Sequence, residues 1–288
     1  MAIGYCAISK ESVGVLHKRR GVGTMNRSGR AKAAQETLDI FEKGYYFSNS
    51  NKIVSQSIYS TEFLLEKELE ALAVSEGKLS PTYEVVNESV IDTILRFGSG
   101  NSGVLNFASA KNPGGGFLNG SLAQEEALAV SSDLYNSQLQ AQQFYDINRG
   151  CRTTLYTHNM IYSREITFIR DGSMNLLDSP ILVNVLTSPA VNAGAYYKNE
   201  NGNKSTVLSV MEKRIRYILK VFADKGDRTI ILGAFGCGVF KNDANDVASI
   251  FYKLLKSEHL ENNFERIVFA VYDQKGQQYD IFKQHFVG

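Results

Sequence analysis

The polar and apolar positions of this chain change period several times, and each change marks an element. From Ala31, the stretch AKAAQETLDIFEKG sets Ala34, Leu38 and Phe41 at helical spacing, which predicts an amphipathic helix closed by Gly44 as its C-cap. The segment YYFSNSNKIVSQS reads as two short strands about a Ser-Asn-Ser-Asn turn, and Thr61 to Ser75, rich in Leu and Glu, predicts a second helix. Near Tyr83 the order becomes strand, helix, strand: TYEVVNE, then SVIDTILRFG with Ser89 as N-cap, then GVLNFAS. From Gln124 to about Tyr145 a polar, periodic stretch predicts one long helix with Leu128, Leu134 and Leu139 on its inner face.

The second half continues the alternation. THNMIYS and ITFIRDG read as two strands, the latter ending in an Asp-Gly turn, and SPILVNVLTSP is a bounded apolar run expected of a buried strand. VNAGAYYKNENGNK, between Ala190 and Lys204, reads as a surface loop of the kind that acts as a lid. A helix capped by Ser205 or Asn203 runs through Phe222 with Leu208, Met211, Ile215, Ile218 and Phe222 on one face. TIIL is then a strand that breaks into a glycine-rich loop and a helix capped by Asn242 or Asp243; ERIVFAVYD and QQYDIFKQHF close the chain as strand and helix. Alternation of this kind predicts an α/β three-layer fold, with the elements before Tyr83 as an accessory layer packed on it.

Composition narrows the function. At 288 residues, 43% hydrophobic and 21% charged, the chain can bury one large core. Lys+Arg 31 against Asp+Glu 30 leaves a net charge of +1, so no global basic field attracts nucleic acid; a small molecule or a protein conjugate is the expected substrate. Cys6, Cys151 and Cys237 are odd in number and far apart, which fits a reducing compartment rather than a disulfide framework. His17, His158, His259 and His285 lack ligand spacing to one another or to a cysteine, so no metal is expected. The apolar run Ala2 to Ile8 has no basic segment before it, and no stretch approaches the ~18 apolar residues of a membrane span; a cytoplasmic protein is expected. The first 28 residues include HKRRGVGTMNRSGR, which reads as a basic arm, because Asn26 replaces the third glycine of a dinucleotide-binding loop.

The candidate chemistry lies in Asn106 to Glu126, NFASAKNPGGGFLNGSLAQEE. Three adjacent glycines remove every Cβ from a tight backbone and let main-chain N–H groups converge on an anion. Glu125 and Glu126 follow closely and bring acid/base capability. Neighbours on a helix diverge by about 100°, so the two carboxylates serve different purposes: one as general acid, the other fixing a hydroxyl. The alternative is that both only favour a helix N-terminus electrostatically. A general acid wants its pKa raised by burial, a like charge or a bound diphosphate, whereas a helix N-terminus lowers it; the substrate's own negative charge is expected to supply much of the correction. A second glycine loop, Gly233, Gly236 and Gly238, follows a buried strand and precedes a helix, the usual arrangement for a phosphate at the edge of a sheet. Two such loops facing each other can grip a diphosphate from both sides.

These residues resemble the compact bacterial-type poly(ADP-ribose) glycohydrolases. Their signature is a triglycine followed after a short spacer by Gln-Glu-Glu, and it stands here as Gly114, Gly115, Gly116 and Gln124, Glu125, Glu126. AAQETLDIFEKGYY, LNFASAKNPGGGF, LLDSPILVNVLTSPAVNAG and LGAFGCGVFKND extend the likeness from about Ala31 to the C-terminus. The resemblance implies a macrodomain-like α/β/α fold with a mixed central sheet over residues 81–288, and an N-terminal accessory helical region over residues 1–80. It implies hydrolysis of the ribose–ribose O-glycosidic bond of poly(ADP-ribose), from chain ends, releasing ADP-ribose and using no cofactor. Glu126 would protonate the departing ribose oxygen and then activate water. Glu125 would bind ribose hydroxyls, Gln124 would support the turn, and Asn106 would line the ribose pocket. Gly114 to Gly116, with Gly233, Ala234, Phe235, Gly236, Cys237, Gly238, Val239 and Phe240, would surround the diphosphate, Phe240 packing on the terminal ADP-ribose unit. An ADP-ribose-binding macrodomain without turnover, and a hydrolase of another ADP-ribosyl linkage, are the alternatives; fold does not separate them.

Overall fold

The computed structural model describes residues 25–74 and 77–288, so most of the basic arm lies outside the described residues. The chain opens with α1 (Arg27–Lys43), β1 (Tyr45–Ser48), β2 (Asn51–Val54), β3 (Ser60–Leu64) and α2 (Glu66–Ala71). β4 (Thr82–Val86), α3 (Val90–Phe97) and β5 (Ser102–Phe107) lead to α4 (Gln124–Ser131), α5 (Leu134–Gln140) and α6 (Gln142–Gly150). Two long strands, β6 (Met160–Arg170) and β7 (Leu176–Ser188), precede α7 (Ala193–Asn199) and α8 (Lys204–Lys225). β8 (Thr229–Leu232), α9 (Ala244–Tyr252), β9 (Arg266–Ala270) and α10 (Gln277–Phe286) follow.

Seven strands form one mixed sheet in the order β3-β6-β7-β5-β8-β9-β4, and β1 and β2 form a separate hairpin. β3, β6 and β7 are antiparallel in succession, whereas β7, β5, β8, β9 and β4 run parallel. Because side chains alternate across a strand, each central strand supplies two cores. Leu105, Leu186, Ile230, Ile267 and Phe269 pack against Met211, Ile215, Ile218 and Phe222 of α8, Phe251 of α9 and Phe282 of α10. Val104, Val183, Val185, Ile231 and Val268 turn the other way, onto Ile91 and Ile94 of α3, Leu128 of α4 and Leu134 of α5. The expected three-layer α/β/α architecture is therefore the observed one.

Several elements differ from the sequence pattern. The helix expected over Thr61 to Ser75 is mostly absent: Ser60–Leu64 is strand β3, and only Glu66–Ala71 is helical. Thr61 and Phe63 carry a period of two within a Leu/Glu-rich stretch, and their backbone pairs with Ser163 and Ile161 of β6. The boundary drawn at residue 80 therefore does not follow an edge of the sheet, since β3 is its edge strand. The long helix expected after Gln124 is three helices. Ser132 and Asp133 end the first: Ser132 Oγ donates back to Leu128 O, and Asp133 Oδ1 accepts from Thr167 N–H of β6, far along the chain. Leu139, expected on the inner face, is exposed. The two strands expected at THNMIYS and ITFIRDG are one, β6, interrupted by an irregularity where Glu165 takes φ +57°. The loop expected after Ala190 contains α7, capped by Asn192, whose side chain accepts from Ala195 N–H. Among the described residues, no helix is long and apolar enough to cross a membrane.

Candidate active site

β5 and β8 are adjacent parallel strands, so the loops leaving their C-terminal ends lie side by side. The pairing of β8 with β5 stops at Val104. Beyond it Gln124 takes the vacated edge: its Nε2 donates to Leu105 O at 2.7 Å and its Oε1 accepts from Phe107 N–H at 2.8 Å. Gln124 thereby bonds the start of α4 to the end of β5, which brings the next two residues back over the loop between them.

The triglycine turn is shaped by exclusion. Gly114 and Gly115 take φ +63° and +58°, which L-residues with a Cβ disfavour. A Cβ on Gly115 would stand 2.5 Å from Glu126 Oε1 and 3.1 Å from Glu125 Oε2, and one on Gly116 would stand 2.6 Å from Ser121 Oγ. The expected convergence of the three N–H groups on an anion is not observed. Gly114 N–H donates to Gln138 Oε1, Gly115 N–H to Asn112 O and Gly116 N–H to Glu126 Oε1. The glycines serve to let two carboxylates approach the backbone. Gly115→Ala is therefore expected to lower kcat/KM by about 100-fold through displacement of Glu126, measured by steady-state kinetics; a wild-type value would remove this steric role.

The two glutamates diverge as helical neighbours must. Glu125 is 3% exposed. Its Oε1 accepts from Asn106 Nδ2 at 3.2 Å and from Gln138 Nε2 at 3.0 Å, and its Oε2 accepts from Ser109 N–H at 2.6 Å. Burial pushes its pKa up to about 8, against the opposing effect of these three donors, and the neighbouring Glu126 adds to the rise. Glu126 is half-buried, and its Oε1 accepts from Gly116 N–H at 3.0 Å. Asn106, expected to line the ribose pocket, is wholly buried beneath Glu125 and also donates to Thr187 Oγ1 of β7. Its amide supports the carboxyl from within the sheet.

The second loop is built differently. Gly236, at φ +77°, packs against Ala190 and Asn242, where a Cβ would meet Ala190 Cβ at 2.5 Å. Asn242 Nδ2 donates to Val191 O and Gly236 O and so braces the loop against the end of β7. Among the described residues, the N–H groups of Gly236, Gly238, Val239 and Phe240 have no protein acceptor, so this loop, not the triglycine, carries the free main-chain donors. Gly233 fits closely between Ala270 O and the Phe107 ring. The side chains of Phe235 and Cys237 are buried in the core, and burial pushes the Cys237 thiol up to about 12; these residues, and the small Ala234, present backbone rather than reactive groups. Val239 is exposed at the tip, and the half-buried Phe240 ring lies 6.3 Å from Tyr156.

Comparison with known proteins follows this geometry. A family model described as "Microbial-type PARG, catalytic domain" matches residues 34–171. The crystal structure of poly(ADP-ribose) glycohydrolase from Thermomonospora curvata is similar with a TM-score of 0.84 and 34% sequence identity, over 90% of this chain and 100% of that one. This chain belongs to the poly(ADP-ribose) glycohydrolase family. The Thermomonospora curvata enzyme bound to the inhibitor ADP-HPD is similar at TM-score 0.80 and 33% identity, over 90% of this chain and 100% of that one. The Deinococcus radiodurans poly(ADP-ribose) glycohydrolase in complex with ADP-ribose is similar at 0.72 and 36%, over 78% of this chain and 93% of that one. A search of curated proteins finds no match.

The two loops leave adjacent strands, with both glutamates at the first of them, and four supporting residues emerge that sequence reasoning missed: Ser109, Gln138, Thr187 and Tyr156. Gln138 had one visible signal. It is polar on the stripe Leu134, Ser137, Gln138 and Ala141, all buried. The N-terminal segment also reaches the site, where Arg27 Nε and Arg30 Nε donate to Asn119 O and Gly120 O of the spacer, each at 2.8 Å.

Proposed function

We propose that the crevice between the two loops takes the terminal ADP-ribose unit of poly(ADP-ribose), on its own or attached to protein, and that the chain hydrolyses the ribose–ribose O-glycosidic bond behind that unit. The observation that carries this reading is the pair Glu125 and Glu126, one buried and one open, set at the triglycine turn beside a loop with free N–H groups. The free N–H groups of Gly236, Gly238, Val239 and Phe240 hold the diphosphate, and Phe240 and Tyr156 flank the bound unit. Glu125, fixed by Asn106, Ser109 and Gln138, orients the ribose hydroxyls. Glu126 gives its proton to the departing ribose oxygen as the anomeric C–O bond breaks through an oxocarbenium-like state. It then takes a proton from the water that attacks the anomeric carbon. Adjacent glutamates do not flank the sugar from opposite faces, so carboxylate separation does not predict the stereochemistry.

The catalytic unit takes in part of the first eighty residues, since Arg27, Arg30 and β3 support it. We place the activity in the cytoplasm, a compartment in which unpaired Cys151 and Cys237 persist.

The test is incubation with automodified poly(ADP-ribose) polymerase, following free ADP-ribose by chromatography. Progressive release supports the reading. Tight ADP-ribose binding without release identifies a reader, and removal of only the protein-linked unit identifies a hydrolase of a different linkage.

A further inference from the structure

We propose that Gln138 is the positioning residue that couples the triglycine turn to Glu125 and holds that carboxyl in place for the ribose. The proposal deepens the reading of Glu125 given above and rests on it.

Gln138 is fully buried, and one amide group meets both halves of the site: Oε1 accepts from Gly114 N–H at 2.8 Å and Nε2 donates to Glu125 Oε1 at 3.0 Å. A main-chain N–H only donates, so the amide oxygen faces Gly114 and the NH2 faces the carboxyl; its orientation is fixed by chemistry. Glutamate, of the same reach, copies this pattern only when protonated. Leucine leaves Gly114 N–H and a Glu125 lone pair without partners, and an ionised glutamate offers no donor to Glu125.

The helix that carries Gln138 is itself anchored. Ser137 Oγ donates to Ser163 Oγ of β6 at 2.6 Å and lies 2.7 Å from Thr61 Oγ1 of β3, so α5 is fastened to two strands directly beside Gln138. Asn106 of β5 and Thr187 of β7 complete a neutral polar cage around Glu125. Among the described residues, the titratable groups that face this carboxyl are Glu126 on its own helix and Tyr145 on α6. No cation stands among these neighbours, which makes the position of a single neutral donor matter more.

The test compares Gln138→Leu and Gln138→Glu with wild type. In Gln138→Leu, kcat is expected to fall about 10- to 100-fold, with a smaller change in KM. The titration midpoint of the Glu125 carboxyl carbon, followed by NMR in the substrate-free protein, is expected to move upward because a donor to its ionised form is gone. A wild-type kcat, or an unmoved midpoint, overturns the proposal. In Gln138→Glu, activity is expected to recover towards acid pH, where the neutral acid donates to Glu125 and accepts from Gly114; a profile of wild-type shape overturns it and does not require the leucine variant to fold. Failure of the underlying reading is seen separately, as a wild-type chain that releases no ADP-ribose while the Glu125 midpoint still responds to residue 138.

Discussion

Glu126→Gln lowers kcat for ADP-ribose release by about 10³-fold while ADP-ribose still binds, the expected result for loss of a group that acts first as acid and then as base. The substitution is nearly isosteric. Its amide oxygen still accepts from Gly116 N–H, so the turn keeps its shape, and the loss reports proton transfer rather than collapse of the loop. Glu126→Ala tests something else, because it removes the acceptor and leaves Gly116 N–H free. If Glu126→Gln retains more than about a tenth of wild-type kcat, Glu126 is not the acid. Product binding is the accompanying control: the free donors of Gly236, Gly238, Val239 and Phe240 are untouched by the change, so the ADP-ribose dissociation constant should stay within a few-fold.

The parts of the fold that were legible in the sequence are those in which local chemistry and tertiary environment agree. Ser89 before an apolar stripe, Gly44 after one, and Asn203 ahead of α8 each cap the helix they were expected to cap. The bounded apolar run SPILVNVLTSP, expected as a buried strand, lies in β7, whose C-terminal half is buried. The misreadings arise where a partner distant in sequence decides. Thr61 and Phe63 become strand because β6 offers an edge, and Asp133 turns the chain out of its helix by accepting from Thr167 N–H of that same strand. In the site, residue types were legible but directions were not. A triglycine next to acids implies a close approach, and the sequence does not say whether its N–H groups face a ligand or the protein. Here Gln138, Asn112 and Glu126 occupy all three. Asn106 was expected at the ribose pocket from its motif alone; its place beneath Glu125 depends on the sheet register with Thr187.

Glu125→Gln should make the protein relatively more stable at alkaline pH while impairing turnover, and this pairing separates the two glutamates. Burial raises the folded-state pKa of Glu125 from 4.5 to about 8. A carboxyl whose folded pKa lies above its unfolded value contributes stability that is fully present below about 4.5 and is lost as pH rises through about 8. Wild-type stability should therefore decline between these values, by an amount of the order of 5 kcal/mol at most, and the variant, with nothing to ionise at that position, should not show this decline. Urea unfolding at pH 5, 7 and 9 measures it; parallel pH dependences for the two proteins would mean that Glu125 is ionised in the fold at neutral pH. The same pKa favours a second assignment, in which Glu125, already protonated at neutral pH, is the acid. The three donors on its oxygens argue for the orienting role instead, because they favour a carboxylate that accepts from hydroxyls over an acid that gives up a proton. Kinetics decide between the two. If Glu125 orients the ribose, Glu125→Gln raises KM and lowers kcat by less than Glu126→Gln does; the reverse order transfers the acid to Glu125 and leaves Glu126 as the group that fixes the linkage.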